Sequence, residues 1–267
     1  MKKVLYTTII LVSLSFIACK ELEFIFSEET SKLTEAEVVV GLKTALQVGT
    51  DTAVTVTSQD DGYYKDKVIK ILLPEEAEII EDYAQQLGLE STLDNFILSM
   101  NRAAEDAASE AGPILHDAIT DLSISDGWDI LNGTNPATSE STSNFDSTAA
   151  TNYLISTTNQ DLYNAFQPKI KTSLDKNLIE GYSTNEIWNT LTSTYNIYAL
   201  GAGLEQVNTE LDVYVTEEGL DGLFHKVSVE EKVIRKDPAA WAQTRVGNIL
   251  EKVFGDNEKL KLTHIYK

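Results

Sequence analysis

The stretch "STLDNFILSMNRAAEDAASEAGPILHDAITDL", from Ser91 to Leu122, has the most regular apolar pattern of the chain. Apolar residues recur along it at intervals of three and four, which places their side chains on one face of an α-helix. Pro113 lies inside the pattern and is expected to kink the helix rather than end it. The stretch therefore predicts one kinked helix of about eight turns. Its buried stripe is predicted to consist of Leu93, Ile97, Met100, Ala104, Ala107, Ala111, Ile114, Ala118 and Leu122.

Helical patterns cover most of the remaining chain. Ser183 with Glu186 forms a capping box, a pairing that marks a helix start, and Thr158 is expected to cap another helix. No run of alternating apolar residues competes with these patterns. The sequence therefore predicts an all-α protein, a multi-helix bundle of about eight helices. Beside the long helix, the patterns fall at residues 34–57, 75–86, 125–132, 147–156, 160–174, 185–195, 216–235 and 239–254.

The amino terminus has the layout of an export signal. Lys2 and Lys3 precede an uncharged run, which extends from Val4 through Phe16 to the small residue Ala18. As a helix, residues 4–18 would reach about 22 Å, which is short of the roughly 30 Å hydrocarbon core of a bilayer. A permanent membrane-spanning segment is therefore disfavoured, and residues 1–18 are predicted to be a signal peptide.

The single cysteine of the chain, Cys19, follows this run directly. Phe16-Ile17-Ala18-Cys19 resembles a bacterial lipobox, although the first position usually carries Leu. The resemblance implies that Cys19 is acylated on its sulfur, as by palmitate, and becomes the first residue of the mature chain. A cysteine with two or three acyl chains would hold stably in a membrane. The alternative is an ordinary secreted protein whose cysteine is incidental.

The residues after the cysteine bear on localisation. Lys20, Glu21 and Glu23 follow Cys19, a pattern that resembles the surface-export signal of lipoproteins in the Bacteroidetes lineage. The expected place is the outer membrane of a Gram-negative bacterium, with the lipid-anchored domain either exposed at the surface or facing the periplasm. The predicted organisation is a signal peptide (1–18), a lipidated tether (19–33), a single compact helical domain (34–255) and a C-terminal tail (256–267).

Charge excludes one class of partner. The chain has 42 acidic and 21 basic residues, a formal net charge of −21. A surface this acidic repels nucleic acid phosphates, so no nucleic acid partner is expected. The stretch most typical of a loop is Ser/Thr-rich and spans Thr134–Asn144. Any domain boundary within the helical part would fall there.

Five stretches resemble a known bacterial family when they are read together. They are "GLKTALQVGTDTAV" (41–54), "DGYYKDKVIKILLPEEA" (61–77), "FILSMNRAAEDAA" (96–108), "DGWDILNG" (126–133) and "LDGLFHKVSVEEKVIRKDPAA" (220–240). They are similar to the domain-of-unknown-function 4197 family, a group of mostly lipoprotein or periplasmic chains. The resemblance implies an all-α fold and no established activity, and it brings no catalytic residues to this chain.

The long helix carries the most concentrated polar set, Asn101, Arg102, Glu105 and Asp106. At helical spacing Arg102 can pair with Glu105 or Asp106, and Asn101 lies over Glu105. If this face lined a cleft, Arg102, Glu105 and Asp106 would be candidate catalytic residues and Asn101 a candidate ligand-binding residue. The alternative is a structural polar network or a solvated face.

Other candidates for chemistry are few. Tyr63 and Tyr64 are candidate ligand-binding residues if they line a groove, and core residues otherwise. His116, His225 and His264 lack the spacing of zinc ligands, and the aspartates near Gly62 lack that of a calcium loop. No metal site and no cofactor are predicted. Three functions stay open: a noncatalytic binding or envelope-interaction module, an enzyme of hydrolase type using the arginine and carboxylates, or a carrier with an apolar cavity.

Overall fold

The computed structural model describes residues 34–79, 81, 90–137, 145–179 and 181–236. These residues contain seven α-helices, which form a compact all-α domain and confirm the predicted fold class. The helices are α1 (Glu35–Thr57), α2 (Glu90–Ala108), α3 (Ala111–Asp121), α4 (Ile124–Leu131), α5 (Ala149–Leu174), α6 (Thr184–Ala202) and α7 (Leu211–Lys236). A short 3₁₀ helix (Glu75–Ala77) and two antiparallel strands, β1 (Asn177–Ile179) and β2 (Tyr182–Ser183), complete the elements.

Several predicted features lie outside the described residues. They are the signal peptide, Cys19 and the tether in residues 1–33, most of the Ser/Thr-rich stretch, His264, and the predicted helix 239–254 with the tail. The prediction of a first helix at 34–57 is confirmed by α1. The spacing of its apolar residues predicts one buried stripe. Val38, Leu42, Ala45, Leu46, Gly49 and Ala53 of this stripe are buried, whereas its last member, Val56, is only half-buried.

The long helix predicted from Ser91 to Leu122 is broken, and the prediction of a kink was wrong. α2 ends at Ala108 and α3 begins at Ala111, with a turn at residues 109–110. Pro113 explains the break, because a proline ring inside a helix collides with the carbonyl four residues earlier, here that of Ser109. The break shifts the buried stripe, so that Leu115 and Ile119 are buried instead of Ile114 and Ala118.

The two helices predicted at 147–156 and 160–174 form one helix, α5. Thr158 is therefore not a helix cap. It is buried inside α5, and its hydroxyl donates to the Leu154 carbonyl at 2.7 Å, a local bond that satisfies a threonine without ending the helix. The apolar residues Leu154, Leu162 and Phe166 continue the buried side of α5 through this point.

The start of α6 confirms the predicted capping box. The Ser183 hydroxyl accepts from the Glu186 amide at 3.2 Å, and the Glu186 carboxylate accepts from the Ser183 amide at 2.8 Å. The helix runs beyond the predicted end at Tyr195 to Ala202, where Gly203 closes it in the left-handed conformation (φ 69°) that glycine adopts without strain.

Helix α7 packs against α1, α2 and α5, and α2 also packs against α5. The loop between α1 and α2 adds Tyr63, whose ring is fully buried beside α7. Gly222 of α7 makes this possible, because a Cβ atom there would lie 2.6 Å from Tyr63 Cε1. Helices α2 and α7 thus both contact the loop 58–74, and the predicted polar set lies on the α2 side of this junction.

Candidate functional site

Helix α2 separates the four predicted polar residues into two pairs. Asn101 and Glu105, four residues apart, are buried at 0% and 3% exposure. The side chains of Arg102 and Asp106, also four apart, are 37% and 50% exposed. The first pair faces the loop 58–74, and the second borders a cleft that is open to solvent.

Asn101 holds an extended segment of the loop. Its side-chain oxygen accepts from the Ile71 amide at 2.9 Å, and its amide nitrogen donates to the Ile71 carbonyl at 2.8 Å. The same nitrogen donates to the Ile97 carbonyl at 2.8 Å. The side chain therefore does for Ile71 what a neighbouring strand would do. Both ends of its amide are engaged by the backbone, which is a structural role.

Glu105 holds the turn that precedes this segment. One carboxylate oxygen accepts from the amides of Tyr63 (3.1 Å) and Tyr64 (3.2 Å), and the other pairs with the Arg102 guanidinium. Arg102 also donates to Asp61 Oδ1 at 2.6 Å. A buried carboxylate needs such partners, because losing water without replacement donors is costly.

Asp61 is the second anchor for Arg102, and its backbone has a positive φ of 68°, unusual for a residue with a side chain. Its carboxylate pairs with Lys65 at 2.6 Å as well as with Arg102. Hydrogen bonds from Lys65 and from Arg102 lower the pKa of Asp61 below its usual value. The cluster of Arg102, Glu105 and Asp61 thus consists of charges that compensate one another.

The two tyrosines have different environments. Tyr63 is fully buried and its hydroxyl donates to the Gly219 carbonyl at 2.6 Å, so it is a core residue. Burial, and to a lesser extent the Glu105 charge, raises the pKa of Tyr63 far above its usual value. Tyr64 is half-buried, and the Lys70 ammonium lies 4.4 Å from its ring centroid. Neither tyrosine is among the residues that line the cleft.

Asp106 bonds two residues at and just after the end of α5 that also line the cleft. Its Oδ2 atom accepts from the Ser173 hydroxyl at 2.7 Å and from Lys176 at 3.1 Å. The hydrogen bond from Ser173, followed by that from Lys176, lowers the pKa of Asp106. Burial acts to lower the pKa of Arg102, but its bonds to Glu105 and Asp61 outweigh burial and raise it.

These pKa directions limit the chemistry of the pair. A general acid or base works best with a pKa near the working pH. The pKa shifts of Asp106 and Arg102 both move away from neutrality, so both groups stay charged near pH 7. The arrangement suits fixed electrostatic contacts with a ligand, and it does not favour proton transfer by either group.

The open cleft beside this pair has a volume of about 320 Å³. Small hydroxyl groups and both signs of charge line it, and one of its internal contacts joins Thr184 Oγ1 to Ser99 Oγ at 2.9 Å. It is large enough for a small polar molecule. The lining residues are Ser58, Asp60, Leu98, Ser99, Arg102, Ala103, Glu105, Asp106, Ser173, Lys176, Asn177 and Thr184.

A second arginine and glutamate network, on α7, was missed from the sequence. Glu231 is 5% exposed and accepts from the amides of Ala150 (3.1 Å) and Thr151 (2.8 Å) and from the Thr151 hydroxyl (2.7 Å). Arg235, one turn later, donates to Glu231 through Nε at 2.9 Å and Nη2 at 2.8 Å. It also donates to the Ile130 carbonyl at the end of α4, at 2.9 Å.

The amino terminus of α5 contains the signal that could have revealed this network. Its first turn has no acidic residue, and Thr148, the cap position, makes no side-chain capping bond. The first amides of a helix need acceptors and attract negative charge. Glu231, on α7, supplies both the acceptor and the negative charge. The local sequence shows that a partner is missing, but only the tertiary fold shows that Glu231 is that partner.

The apolar pocket formed by described residues of α1, α5 and α7 is too small to support the apolar-carrier hypothesis. A small void among Leu42, Leu46 and Ile234 measures about 20 Å³, which is room for about one water molecule. Within the described ranges, no three His, Cys, Asp or Glu side chains are arranged to share a metal ion. His116 instead contacts Asp51 at 2.7 Å on the surface. None of the helices in that part of the chain is long and apolar enough to cross a membrane.

Comparison with known protein families gives a match. The family described as "Protein of unknown function (DUF4197)" matches residues 32–255, which is most of the chain. The chain belongs to this family, as the five quoted stretches indicated. Searches of curated proteins and of solved structures found no match.

Proposed function

We propose that this protein is a lipid-anchored, noncatalytic binding module of the bacterial cell envelope. The observation that carries the noncatalytic part is the pairing of the candidate site. Asn101 and Glu105 bond the backbone of the loop 58–74, and the Arg102 charge is matched by Glu105 and Asp61. Charges that are paired within the protein in this way have a structural role.

The binding part of the proposal rests on the cleft. Arg102 and Lys176 reach it with side chains that are 37% and 65% exposed, and a guanidinium keeps further donors after making two bonds. Asp60 and Asp106 add acceptors to the same cleft. A polar ligand with both donors and acceptors would therefore find partners without displacing a buried charge pair.

The anchor part of the proposal rests on the sequence alone. The uncharged run, the lipobox-like Phe16-Ile17-Ala18-Cys19 and the following Lys20 support an outer-membrane lipoprotein attached through acylated Cys19. A domain tethered in this way would need no membrane-spanning helix. The domain would lie at the cell surface if the anchor is in the outer leaflet of the outer membrane, and in the periplasm if the anchor is in the inner leaflet.

An alkyne analogue of palmitate, fed to cells that express the full chain, tests the anchor. The wild-type chain is expected to take up the label and to sediment with the outer membrane. The Cys19→Ala chain is expected to lose the label and to leave the membrane fraction. If Cys19→Ala stays in the membrane undiminished, the anchor is wrong.

Turnover assays test the noncatalytic part against the hydrolase alternative. The full chain and its Arg102→Ala variant would be assayed on model esters, phosphoesters, peptides and glycosides between pH 5 and pH 9. We expect neither chain to hydrolyse any of them above the buffer rate. Turnover by the wild type that Arg102→Ala abolishes, while its circular dichroism is unchanged, would establish the enzyme instead.

A further inference from the structure

Helix α6 differs in composition from the rest of this acidic chain. Residues 187–204, "IWNTLTSTYNIYALGAGL", contain no charged residue and no histidine, whereas 24% of the whole chain is charged. At the average frequency, a segment of this length would carry about four charges.

The carboxyl half of α6 exposes large apolar side chains. Ile197 and Leu200 are 78% and 75% exposed, the highest values among the large hydrophobic residues described, and Tyr198 and Leu204 are 54% and 45% exposed. Ile197 and Leu200 are three residues apart and share one side of the helix. Exposed apolar clusters of this kind mark interaction surfaces.

The hydroxyl groups in the amino half of the same side do not depend on water for their hydrogen bonds. The hydroxyls of Thr190, Ser193 and Thr194 donate to carbonyls of α6 itself, at 2.8 Å, 3.1 Å and 2.7 Å. Their donors are therefore satisfied within the helix, and covering them costs little. Together, Thr190, Ser193, Thr194, Ile197, Leu200 and Gly201 form what we call the α6 face.

The inner side of α6 holds this face in place. Trp188 donates to the Thr209 carbonyl at 3.0 Å, and Asn196 bonds both the amide and the carbonyl of Val207, at 2.8 Å and 2.7 Å. The loop 203–210 is thereby tied to the helix. A surface that is already ordered loses less conformational entropy when a partner binds.

We propose that the α6 face binds the α6 face of a second copy of this chain in a two-fold symmetric dimer. The formal charge of −21 makes copies repel one another over most of their surface, and the α6 face is where two copies can meet without opposing charges. Charged residues are depleted at the centres of interfaces, and the α6 face has none.

The shape of the face supports self-recognition. Leu200 projects from the helix next to Gly201, where a Cβ atom would meet nothing within 4 Å. In an antiparallel pair that crosses at Ile197, the Leu200 side chain of one copy can pack beside Thr194 of the other, and Gly201 leaves space opposite Ser193. A lipid surface fits less well, because helices that lie on membranes carry Lys and Arg on their polar side and residues 187–204 have none.

The size of the face predicts weak association. From Thr190 to Gly201 the α6 face measures about 17 Å along the helix, and one such face buries less than the roughly 800 Å² per partner of a standard interface. The dimer is thus expected in the micromolar range or weaker. The inference is independent of the anchor and of the cleft.

Cysteine cross-linking in cells expressing the full chain tests the dimer. Ile197→Cys places a thiol at the centre of the face, and Val40→Cys, on α1, is the matched control because Val40 is also helical, apolar and 53% exposed. We expect oxidation to give a dimer of the Ile197→Cys chain, and not of the Val40→Cys chain or of the native chain with Cys19 alone.

Charge substitutions in the Ile197→Cys background complete the test. Leu200→Glu is expected to reduce the dimer at least tenfold, whereas Val40→Glu leaves it unchanged. Both positions are exposed, so folding should survive, and circular dichroism checks this. No dimer at Ile197→Cys, equal dimer in both cysteine chains, cross-links only to other proteins, or no effect of Leu200→Glu would each overturn the proposal. Flotation with phosphatidylcholine vesicles that Leu200→Glu abolishes, without a dimer, would assign the face to lipid instead.

Discussion

The network of Arg102 and Glu105 on α2 and the network of Glu231 and Arg235 on α7 use the same groups for different tasks. In each, a buried glutamate accepts from two consecutive backbone amides and pairs with an arginine of its own helix. The first secures a turn of the loop 58–74, and the second secures the amino terminus of α5. Both networks have a structural role, although the sequence pattern indicated a candidate functional site only at the first.

Solvent contact distinguishes the two networks. The side chain of Arg102 is 37% exposed and borders the cleft, whereas that of Arg235 is 12% exposed and also bonds α4 through Ile130. The second network therefore connects α4, α5 and α7, and the first keeps one charged group within reach of a ligand. A dense polar cluster in a sequence does not by itself distinguish these two cases.

The largest effect is expected from Glu231→Ala. The substitution leaves two amides at the start of α5 without their acceptor and leaves the Arg235 guanidinium, whose side chain is only 12% exposed, without its carboxylate partner. Loss of one partner of a buried pair costs about 3 to 5 kcal/mol of the free energy of unfolding. Urea unfolding of the full chain measures it. A cost below about 1 kcal/mol would show that the second network has little weight.

Glu105→Ala is expected to cost less, about 2 to 3 kcal/mol. Arg102 keeps Asp61 and solvent as partners, so its charge is not stranded. Glu105→Gln serves as the control, because it retains an oxygen that can accept from Tyr63 and Tyr64. Urea midpoints of both variants, measured beside Glu231→Ala, sharpen the comparison. An equal or larger cost for Glu105→Ala would reverse the ranking.

The two networks should lose stability in acid with different dependence on salt, because each involves an aspartate whose pKa is lowered in a different way. The pKa of Asp61 is lowered in the folded protein, so its stabilising effect is present above its unfolded pKa of 3.8 and is lost as pH falls through the folded value. Burial acts to raise the pKa of Asp146, which lies beside the second network, but donors from Thr148 and Asn152 lower it overall. It therefore loses its contribution in the same direction of pH.

Salt separates the two aspartates because Asp61 depends on exposed cations and Asp146 mainly on neutral donors. We expect Asp61→Asn to flatten the fall in stability below pH 4 at low salt and to have little effect at about 1 M salt. Asp146→Asn should act at both salt concentrations. Urea midpoints from pH 7 to pH 2.5 provide the test, and equal salt dependence would contradict this account.

The smallest effect is expected from the pair of Asp106 and Lys176. Their side chains are 50% and 65% exposed, and exposed ion pairs contribute about 0 to 1 kcal/mol. A double-mutant cycle of Asp106→Asn and Lys176→Ala should give a coupling energy in this range that falls with added salt. A coupling above about 2 kcal/mol would place this pair with the structural networks.

Sequence reasoning recovered the features that depend on neighbours along the chain. The all-α class, the buried stripe of α1 and the capping box of Ser183 with Glu186 all follow from local spacing. It failed where a choice depended on packing: Pro113 could bend or break the helix, and Thr158 could cap a helix or lie inside one. The clamps made by Asn101 and Glu231 join residues 30 and 80 or more positions apart, beyond the reach of periodicity.

Amide hydrogen exchange tests the central claim, that the buried glutamates act by holding backbone amides. In the wild type, the amides of Tyr63, Tyr64, Ala150 and Thr151 are expected to be protected. Glu105→Ala should accelerate exchange at Tyr63 and Tyr64 alone, and Glu231→Ala at Ala150 and Thr151 alone, each by at least tenfold. Unchanged protection of Tyr63 and Tyr64 in Glu105→Ala would contradict the structural role of that network.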